Sequence, residues 1–164
     1  MALNYESDKV ANRHLYQPPA PHSSGEVYCI PFKATVDTSL AINHLVGLCP
    51  LPANCIPVDI KMYLDDIDGV TSLEWDVGIL NADKDGLVPS SLLIDGATVG
   101  RTAGFQDMND LECVFEPATW LAESTCPAID AEKTVVMKII AAAATPVAGD
   151  IYGVLYFRSS DHGK

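Results

Sequence analysis

The chain has 164 residues, of which 48% are hydrophobic and 20% are charged, a length and composition typical of one globular domain. Its 22 acidic side chains outnumber its 10 lysines and arginines, giving a formal net charge of −12. This balance argues against nucleic-acid binding, because phosphate contacts need basic side chains. The first ten residues carry charges where a signal peptide would be apolar, and the longest uncharged stretch, residues 38–58, contains three prolines. We therefore expect neither an export signal nor a membrane-spanning helix.

Residues 1–25 differ from the rest of the chain. They contain the segment QPPAPHSSG, which is typical of an extended, polyproline-like arm. Two interpretations stay open for this arm: a disordered terminus, or a segment that binds a partner protein. In the second interpretation, the partner-binding side chains are the apolar and aromatic ones, namely Tyr5, Val10, Leu15 and Tyr16. Residues 26–160 form the predicted folded domain.

From residue 26 onward, apolar and polar residues alternate with a period of two, which predicts β-strands, including one over residues 38–46. The clearest strand covers residues 57–64. After the turn sequence Asp68-Gly69 the alternation resumes over residues 70–80. The inward-facing residues of this second run are Leu73, Trp75, Val77 and Ile79. Together the two runs predict a β-hairpin.

The rest of the chain continues the β pattern. Residues 96–110 predict a long loop with one helical turn towards its end, and residues 113–115 and the surroundings of Trp120 predict short strands. Two longer strands are predicted over residues 134–142 and 150–158. Eight or nine short strands without a helix of ten residues predict an all-β fold, an antiparallel β-sandwich of the jelly-roll type with an extended N-terminal arm.

Five cysteines occur at irregular spacing. They are Cys29, Cys49, Cys55, Cys113 and Cys126. The odd number and the absence of a CxxC motif predict reduced thiols that pack as small hydrophobic side chains, not a disulfide framework.

No sequence motif of a known catalytic site is present. Of the four histidines, His44 alone falls in a predicted strand, where a structural role is more common than a catalytic one. We therefore expect no enzymatic activity, no catalytic residues and no bound cofactor.

One segment begins like a calcium-binding loop. The run from Asn81 to Gly86 places oxygen ligands at positions one, three and five and glycine at position six, as an EF-hand loop does. Position twelve is Leu92 rather than glutamate, so we expect an ordinary solvated turn and no metal site.

The segments LPANCIPVDIKMYLDDIDG (residues 51–69) and SLEWDVGILNADKDG (residues 72–86) resemble the small head decoration, or cement, proteins of tailed bacteriophages. The resemblance extends over residues 50–158. It implies a structural virion protein, made in the host cytoplasm, that binds the capsid exterior and stabilises it by bridging neighbouring subunits of the major capsid protein. It also implies a homo-oligomer, for which a trimer is our expectation.

Two alternatives stay open beside this resemblance. One is another virion module, from a tail or a fibre. The other is a carbohydrate-binding β-sandwich, in which Trp75, Trp120, Tyr152 and Tyr156 would stack on sugar rings, although Trp75 alternates with acidic residues as a core residue would.

Overall fold

The structure is a computed structural model that describes residues 4–11 and 26–160. Within these ranges nine strands form two sheets. The strands are β1 (Tyr5–Glu6), β2 (Tyr28–Val36), β3 (Leu45–Leu51), β4 (Cys55–Leu64), β5 (Glu74–Ile79), β6 (Ile94–Ala97), β7 (Gly104–Asp107), β8 (Lys133–Ala141) and β9 (Gly149–Ser159). The orders are β1-β3-β8-β5-β6 in the five-stranded sheet and β2-β9-β4-β7 in the four-stranded sheet. The predicted all-β sandwich is confirmed.

The alternation of apolar and polar residues explains how the two sheets enclose one core. In β2 every second residue from Ile30 to Val36 is buried and the residues between them are exposed. In β5 the predicted inward residues Trp75, Val77 and Ile79 are fully buried. β8 and β9 lie where the pattern predicts them. All strand pairs are antiparallel except β1 with β3.

The predicted hairpin of residues 57–64 and 70–80 is wrong, although both of its strands exist. β4 pairs with β9 and β7 in one sheet, whereas β5 pairs with β8 and β6 in the other. Residues 65–73 therefore cross between the sheets. The buried Asp68 fixes the crossing, because its carboxylate accepts hydrogen bonds from the backbone N–H groups of Val70, Ser72 and Leu73 at 3.1, 2.8 and 2.7 Å.

The predictions for residues 96–121 are also corrected. Residues 104–107 form strand β7 instead of belonging to a loop. The strands predicted at 113–115 and near Trp120 are two short helices, α2 (Glu112–Phe115) and α3 (Pro117–Leu121). Cys113 and Trp120 are still buried, and the Trp120 indole N–H donates a 2.9 Å hydrogen bond to the Cys113 carbonyl. One buried residue in each short segment does not distinguish a helical turn from a strand.

The remaining helical segments are α1 (Asp8–Ala11) and a short 3-10 helix (Pro89–Ser91). In residues 4–11 and 26–160 we find no helix with the length and apolar character needed to cross a bilayer.

The strand predicted over residues 38–46 begins only at Leu45, because the chain first makes a turn. Asn43 adopts a positive φ of 64° in this turn, a conformation that asparagine tolerates better than most residues. Leu40 is buried, but Ile42, predicted on the same face, is 56% exposed.

The described part of the predicted arm, residues 4–11, is packed on the sandwich. β1 lies parallel to β3, with Tyr5 opposite Val46 and Glu6 opposite Gly47. α1 follows directly and buries Val10, which is 2% exposed. The Pro-rich residues 12–25 lie outside the described part of the chain.

The core also holds cysteines and one lysine. Cys49, Cys55 and Cys113 are buried, Cys29 is exposed, and all five cysteines are free thiols. Lys133 is 1% exposed, and its ammonium donates hydrogen bonds of 2.9 to 3.1 Å to the carbonyls of Ala128, Ile129 and Ala131. Burial lowers the pKa of Lys133. These bonds tie the loop before β8 to the core.

Candidate interaction surface

The outer faces of the two sheets differ. On the five-stranded sheet, Leu45, Leu80 and Val136 form a second apolar cluster that Leu87 helps to cover. The segment after β5 thus folds back over that face. The outer face of the four-stranded sheet is more open: Lys61, Phe105 and Tyr152 are exposed, and Tyr63 and Val154 are half-buried.

A row of aromatic side chains crosses this open face. Tyr152 of β9 lies opposite Tyr63 of β4, and Tyr63 lies opposite Phe105 of β7. The Tyr63 and Phe105 rings meet edge to face with centroids 4.9 Å apart, and the Tyr63 and Tyr152 centroids are 6.5 Å apart. We call these three residues the aromatic row. Phe105 is 81% exposed and Tyr152 is 40% exposed, so the row offers apolar surface to a partner.

The aromatic row is flanked by ion pairs. Lys33 of β2 lies opposite Tyr152, and its ammonium is 5.1 Å from the centre of that ring and 2.7 Å from the Asp150 carboxylate. On the other side, the Lys61 ammonium is 3.1 Å from the Asp107 carboxylate. The Lys61 ammonium is also 3.8 Å from the Asp59 carboxylate. Each lysine beside the row is therefore paired locally with a carboxylate.

The pKa values of these groups follow from the pairing. The hydrogen bond from Lys33, and then that from Thr35, lower the pKa of Asp150 to about 2. The bond to Asp150 raises the pKa of Lys33, and the bond to Asp107 raises that of Lys61. The Lys33–Asp150 pair therefore stays charged at neutral pH.

A shallow groove of about 250 Å³ lies beside the row. Its lining includes Tyr63, Phe105, Tyr152 and Val154. Beneath it, Gly153 faces the core, where the Phe32 ring occupies the space that a side chain at 153 would need. The Tyr152 ring packs on the outer side of β9 and the Phe32 ring packs on its inner side. This packing fixes the backbone that forms the floor of the groove.

The predicted partner-binding residues lie elsewhere. The Tyr5 hydroxyl donates a 2.7 Å hydrogen bond to Asp37 and lies 2.8 Å from the Ser39 hydroxyl, while Val10 is buried by its own chain. Leu15 and Tyr16 lie outside the described residues. The structure brings Tyr5 and Val10 together on one sheet edge, and their binding to a partner protein stays a prediction.

In the turn from Asn81 to Gly86, which begins like a calcium-binding loop, the polar groups form hydrogen bonds with one another. The Asn81 side-chain oxygen accepts hydrogen bonds from the backbone N–H groups of Asp85 and Gly86, and its amide donates to the Asp85 carboxylate at 2.8 Å. Over residues 4–11 and 26–160, no group of three or more His, Cys, Asp or Glu side chains is placed to hold a metal ion.

The aromatic row was missed by sequence reasoning. Tyr63 alternates with buried residues in β4, which places it on the outer face, but Phe105 lies in a segment predicted as a loop. The pairing of β4 with both β7 and β9 brings the three rings together. The available signal was one outward-facing tyrosine on each of two predicted strands, Tyr63 in residues 57–64 and Tyr152 in residues 150–158.

No protein-family model and no curated protein matches the sequence. Solved structures do match. A chain from the capsid of Ralstonia phage GP4 superposes with a TM-score of 0.70 and 24% identity, covering 96% of this chain and 98% of that one. A chain from the cyanophage Pam1 capsid asymmetric unit gives 0.57 and 14%, covering 88% and 94%. At these identities the matches establish a shared fold, and both matched chains come from phage capsid structures.

Proposed function

We propose that this protein is a structural component of a bacteriophage virion, a decoration protein that binds the capsid exterior and bridges neighbouring subunits of the major capsid protein. The observation that carries the proposal is the fold shared over 96% of this chain and 98% of a chain from the Ralstonia phage GP4 capsid. Near-complete coverage of both chains means that the whole domain is matched. The sequence resemblance to decoration proteins supports the same role.

The strand order supports the predicted jelly-roll topology. Without β1, each sheet has four strands, and every connection from β2 to β9 changes sheet except the one between β5 and β6. Eight strands in two sheets joined in this way are the arrangement of a jelly roll. A rigid sandwich of this kind suits a protein that holds others together.

The aromatic row is the surface that we propose for docking on the shell. Interfaces are enriched in aromatic side chains at their centre and depleted in unpaired charge. The row supplies the aromatic side chains, and the lysines beside it are paired with carboxylates. A standard interface buries about 800 Å² on each partner, and three aromatic side chains supply only part of that area. A second contact is therefore needed, and residues 1–25 are the candidate for it.

The test is co-sedimentation of the full-length protein with empty shells of the phage that encodes it. Wild-type protein is expected to sediment with the shells. Phe105→Asp is expected to bind at least tenfold more weakly, because loss of an aromatic hot-spot residue costs about 2 kcal/mol or more. Phe115→Asp is the matched control, since Phe115 is 75% exposed but lies in α2, outside the row. Wild-type protein that stays in the supernatant would disprove decoration. Equal binding of both variants would instead remove the row from the interface.

The oligomeric state is proposed as a homotrimer, on the resemblance to shell decoration proteins and because oligomers commonly form closed symmetric assemblies. Sedimentation equilibrium of the free protein tests this directly. A monomer at all concentrations would show that any trimer forms only on the shell.

Carbohydrate binding is the second candidate, and the aromatic row is the observation that favours it, because aromatic rings stack on sugar rings. Two of the four aromatics predicted for this role are excluded. Trp75 and Trp120 are fully buried, and their indole N–H groups are bound to the carbonyls of Val99 and Cys113. A glycan array separates the candidates: saturable sugar binding that Phe105→Asp abolishes, together with no shell binding, would support the sugar-binding role.

A further inference from the structure

The edge strand β3 is covered by a short peptide-like segment of the same chain. Residues 4–11, which we call the N-terminal latch, add β1 in parallel to β3. Backbone hydrogen bonds run from Asn4 N–H to the Leu45 carbonyl at 2.9 Å and from Ser7 N–H to the Gly47 carbonyl at 2.6 Å. The Asn4 side-chain oxygen also accepts from Leu45 N–H at 2.9 Å. This is the pattern by which a separate peptide adds a strand to an exposed sheet edge.

Three side chains anchor the latch. The Tyr5 hydroxyl binds the Asp37 carboxylate, and its ring lies 6.0 Å from that of His44. The Ser7 hydroxyl is buried, donates to the Leu48 carbonyl and accepts from Val10 N–H. Val10 itself is buried. The backbone bonds and the three side-chain anchors together make the site specific for this segment.

The latch is joined to the rest of the domain by fourteen residues, 12–25. Fully extended, they reach about 50 Å. Within one chain, the span to be covered is short, since Asp8 and Lys9 lie beside Pro31 and Lys33 of β2. From Pro31 back to Glu26 an extended chain measures about 17 Å. The surplus of about 30 Å is similar to twice the radius of gyration of a domain of about 135 residues.

The geometry points to exchange of the latch between neighbouring copies: residues 4–11 of one molecule bind the β3 edge of a second copy of this chain. The partner site is identical to the one described, so no new contacts are required and the exchange changes only which molecule supplies the segment. Exchanged latches would connect adjacent copies into a network. This inference rests on the proposed function for the setting in which copies lie close together.

The protein concentration determines whether the latch binds its own chain or a neighbouring copy. A short tether presents the latch to its own edge at an effective concentration of about the millimolar range. In dilute solution, at about micromolar protein, the latch therefore binds its own chain. Copies held side by side on a shell, or concentrated to about millimolar, compete on equal terms.

The test uses full-length protein with the photo-crosslinking amino acid p-benzoylphenylalanine in place of Tyr5. This unlabelled protein is mixed with an equal amount of ¹⁵N-labelled wild-type protein, irradiated and digested. Cross-links between residue 5 and the 37–44 turn are then sorted by mass. Cross-links from the unlabelled to the labelled protein join two molecules, and we expect them on shells and at about millimolar protein without shells. In dilute solution we expect only cross-links within the unlabelled protein. Exclusively intramolecular cross-links in both crowded samples would overturn the inference.

A matched pair of variants links such cross-links to the latch. In the protein that carries the photo-crosslinker, Val10→Asp places a charge in a buried site and should reduce the intermolecular cross-links at least fivefold, whereas Phe115→Asp should leave them unchanged. Ser7→Ala is a milder second variant, expected to reduce them without affecting the fold. Equal intermolecular cross-linking by the Val10→Asp, Ser7→Ala and Phe115→Asp variants would contradict binding through the latch. The millimolar sample contains no shells and therefore tests the exchange by itself. Failure of the protein to bind shells would overturn the decoration role and would leave the result of the millimolar sample to decide the exchange.

Discussion

The Asp68 carboxylate accepts a 2.7 Å hydrogen bond from the backbone N–H of Leu73, and this contact helps to turn the chain out of one sheet and into the other. Asp68 is 1% exposed. Burial opposes the charged carboxylate and would raise its pKa, but the backbone N–H groups of Leu73, Val70 and Ser72 outweigh this effect and hold the pKa below its usual value. A buried carboxylate thus replaces the hydrogen bonds that the crossing segment cannot make in a sheet.

We expect Asp68→Ala to lower the free energy of unfolding by about 2–4 kcal/mol, because three backbone donors lose a charged acceptor. Urea unfolding measures the change. Asp83→Ala is the control, since Asp83 is exposed in a turn, and its effect should stay within about 0.5 kcal/mol. Equal effects would show that the crossing does not depend on the carboxylate.

The same residue predicts a pH dependence. A carboxyl group whose pKa is lower in the folded state stabilises the fold at a pH above its unfolded value of about 3.9. That contribution is lost as the pH falls through the native pKa. Melting temperatures of wild-type protein should therefore fall more steeply below about pH 4 than those of Asp68→Asn. Parallel curves for the two proteins would contradict this assignment.

Trp75 and Phe105 form a matched pair for testing core against surface. Trp75 is fully buried, with its indole N–H bound to the Val99 carbonyl at 2.7 Å, and Trp75→Ala should cost about 3–5 kcal/mol in urea unfolding. Phe105 is 81% exposed, and Phe105→Ala should change stability by less than about 0.5 kcal/mol. A large loss with Phe105→Ala would show that its ring is structural, which would weaken its assignment to docking.

Gly153 is required by close packing and not by backbone conformation. A Cβ at this position would overlap the Phe32 ring and lie 2.8 Å from the Lys61 carbonyl. Gly153→Ala should therefore destabilise the protein by about 1–3 kcal/mol, as thermal unfolding would show. Gly104→Ala in the same sheet is the control, since its nearest neighbour would be 3.6 Å away. Similar stabilities for the two variants would disprove the steric argument.

Lys133 stabilises the loop before β8 through its three carbonyl contacts. Lys133→Met keeps much of the side-chain volume but leaves the carbonyls of Ala128, Ile129 and Ala131 without their donor, so we expect a loss of about 2–4 kcal/mol. Lys84→Met, at an exposed turn residue, should have little effect. Hydrogen exchange should also increase in residues 126–132 of Lys133→Met, and unchanged exchange there would argue against the anchoring role.

The strands could be predicted from the sequence because their burial has a period of two, as in Ile30 to Val36 and in Trp75 to Ile79. Their partners could not. Asp68-Gly69 has the composition of a tight turn, and only the long-range pairing of β4 with β9 and of β5 with β8 reveals a crossing. Local pattern determines which face of a strand is buried, whereas the choice of sheet depends on contacts between residues far apart in the chain.

The same limit applies to the candidate site. Tyr5 and Val10 are apolar residues in a segment with little periodic pattern, which suggested binding to a partner; in the structure they pack on β3 of the same chain. Phe105 lies among glycine and polar residues, and its local sequence does not show that it stands beside Tyr63. Adjacency across strands is created by register, which a single sequence does not specify.

The placement of the thiols has a consequence for the chemical durability of the protein. Burial raises the pKa of Cys49 and Cys113 well above the usual range and that of Cys55 to about 11. Because the thiolate is the reactive form, these three sulfurs are poorly ionised as well as shielded from solvent. In an oxidising medium these three thiols would resist oxidation, and Cys29, exposed on β2, would be the first to react.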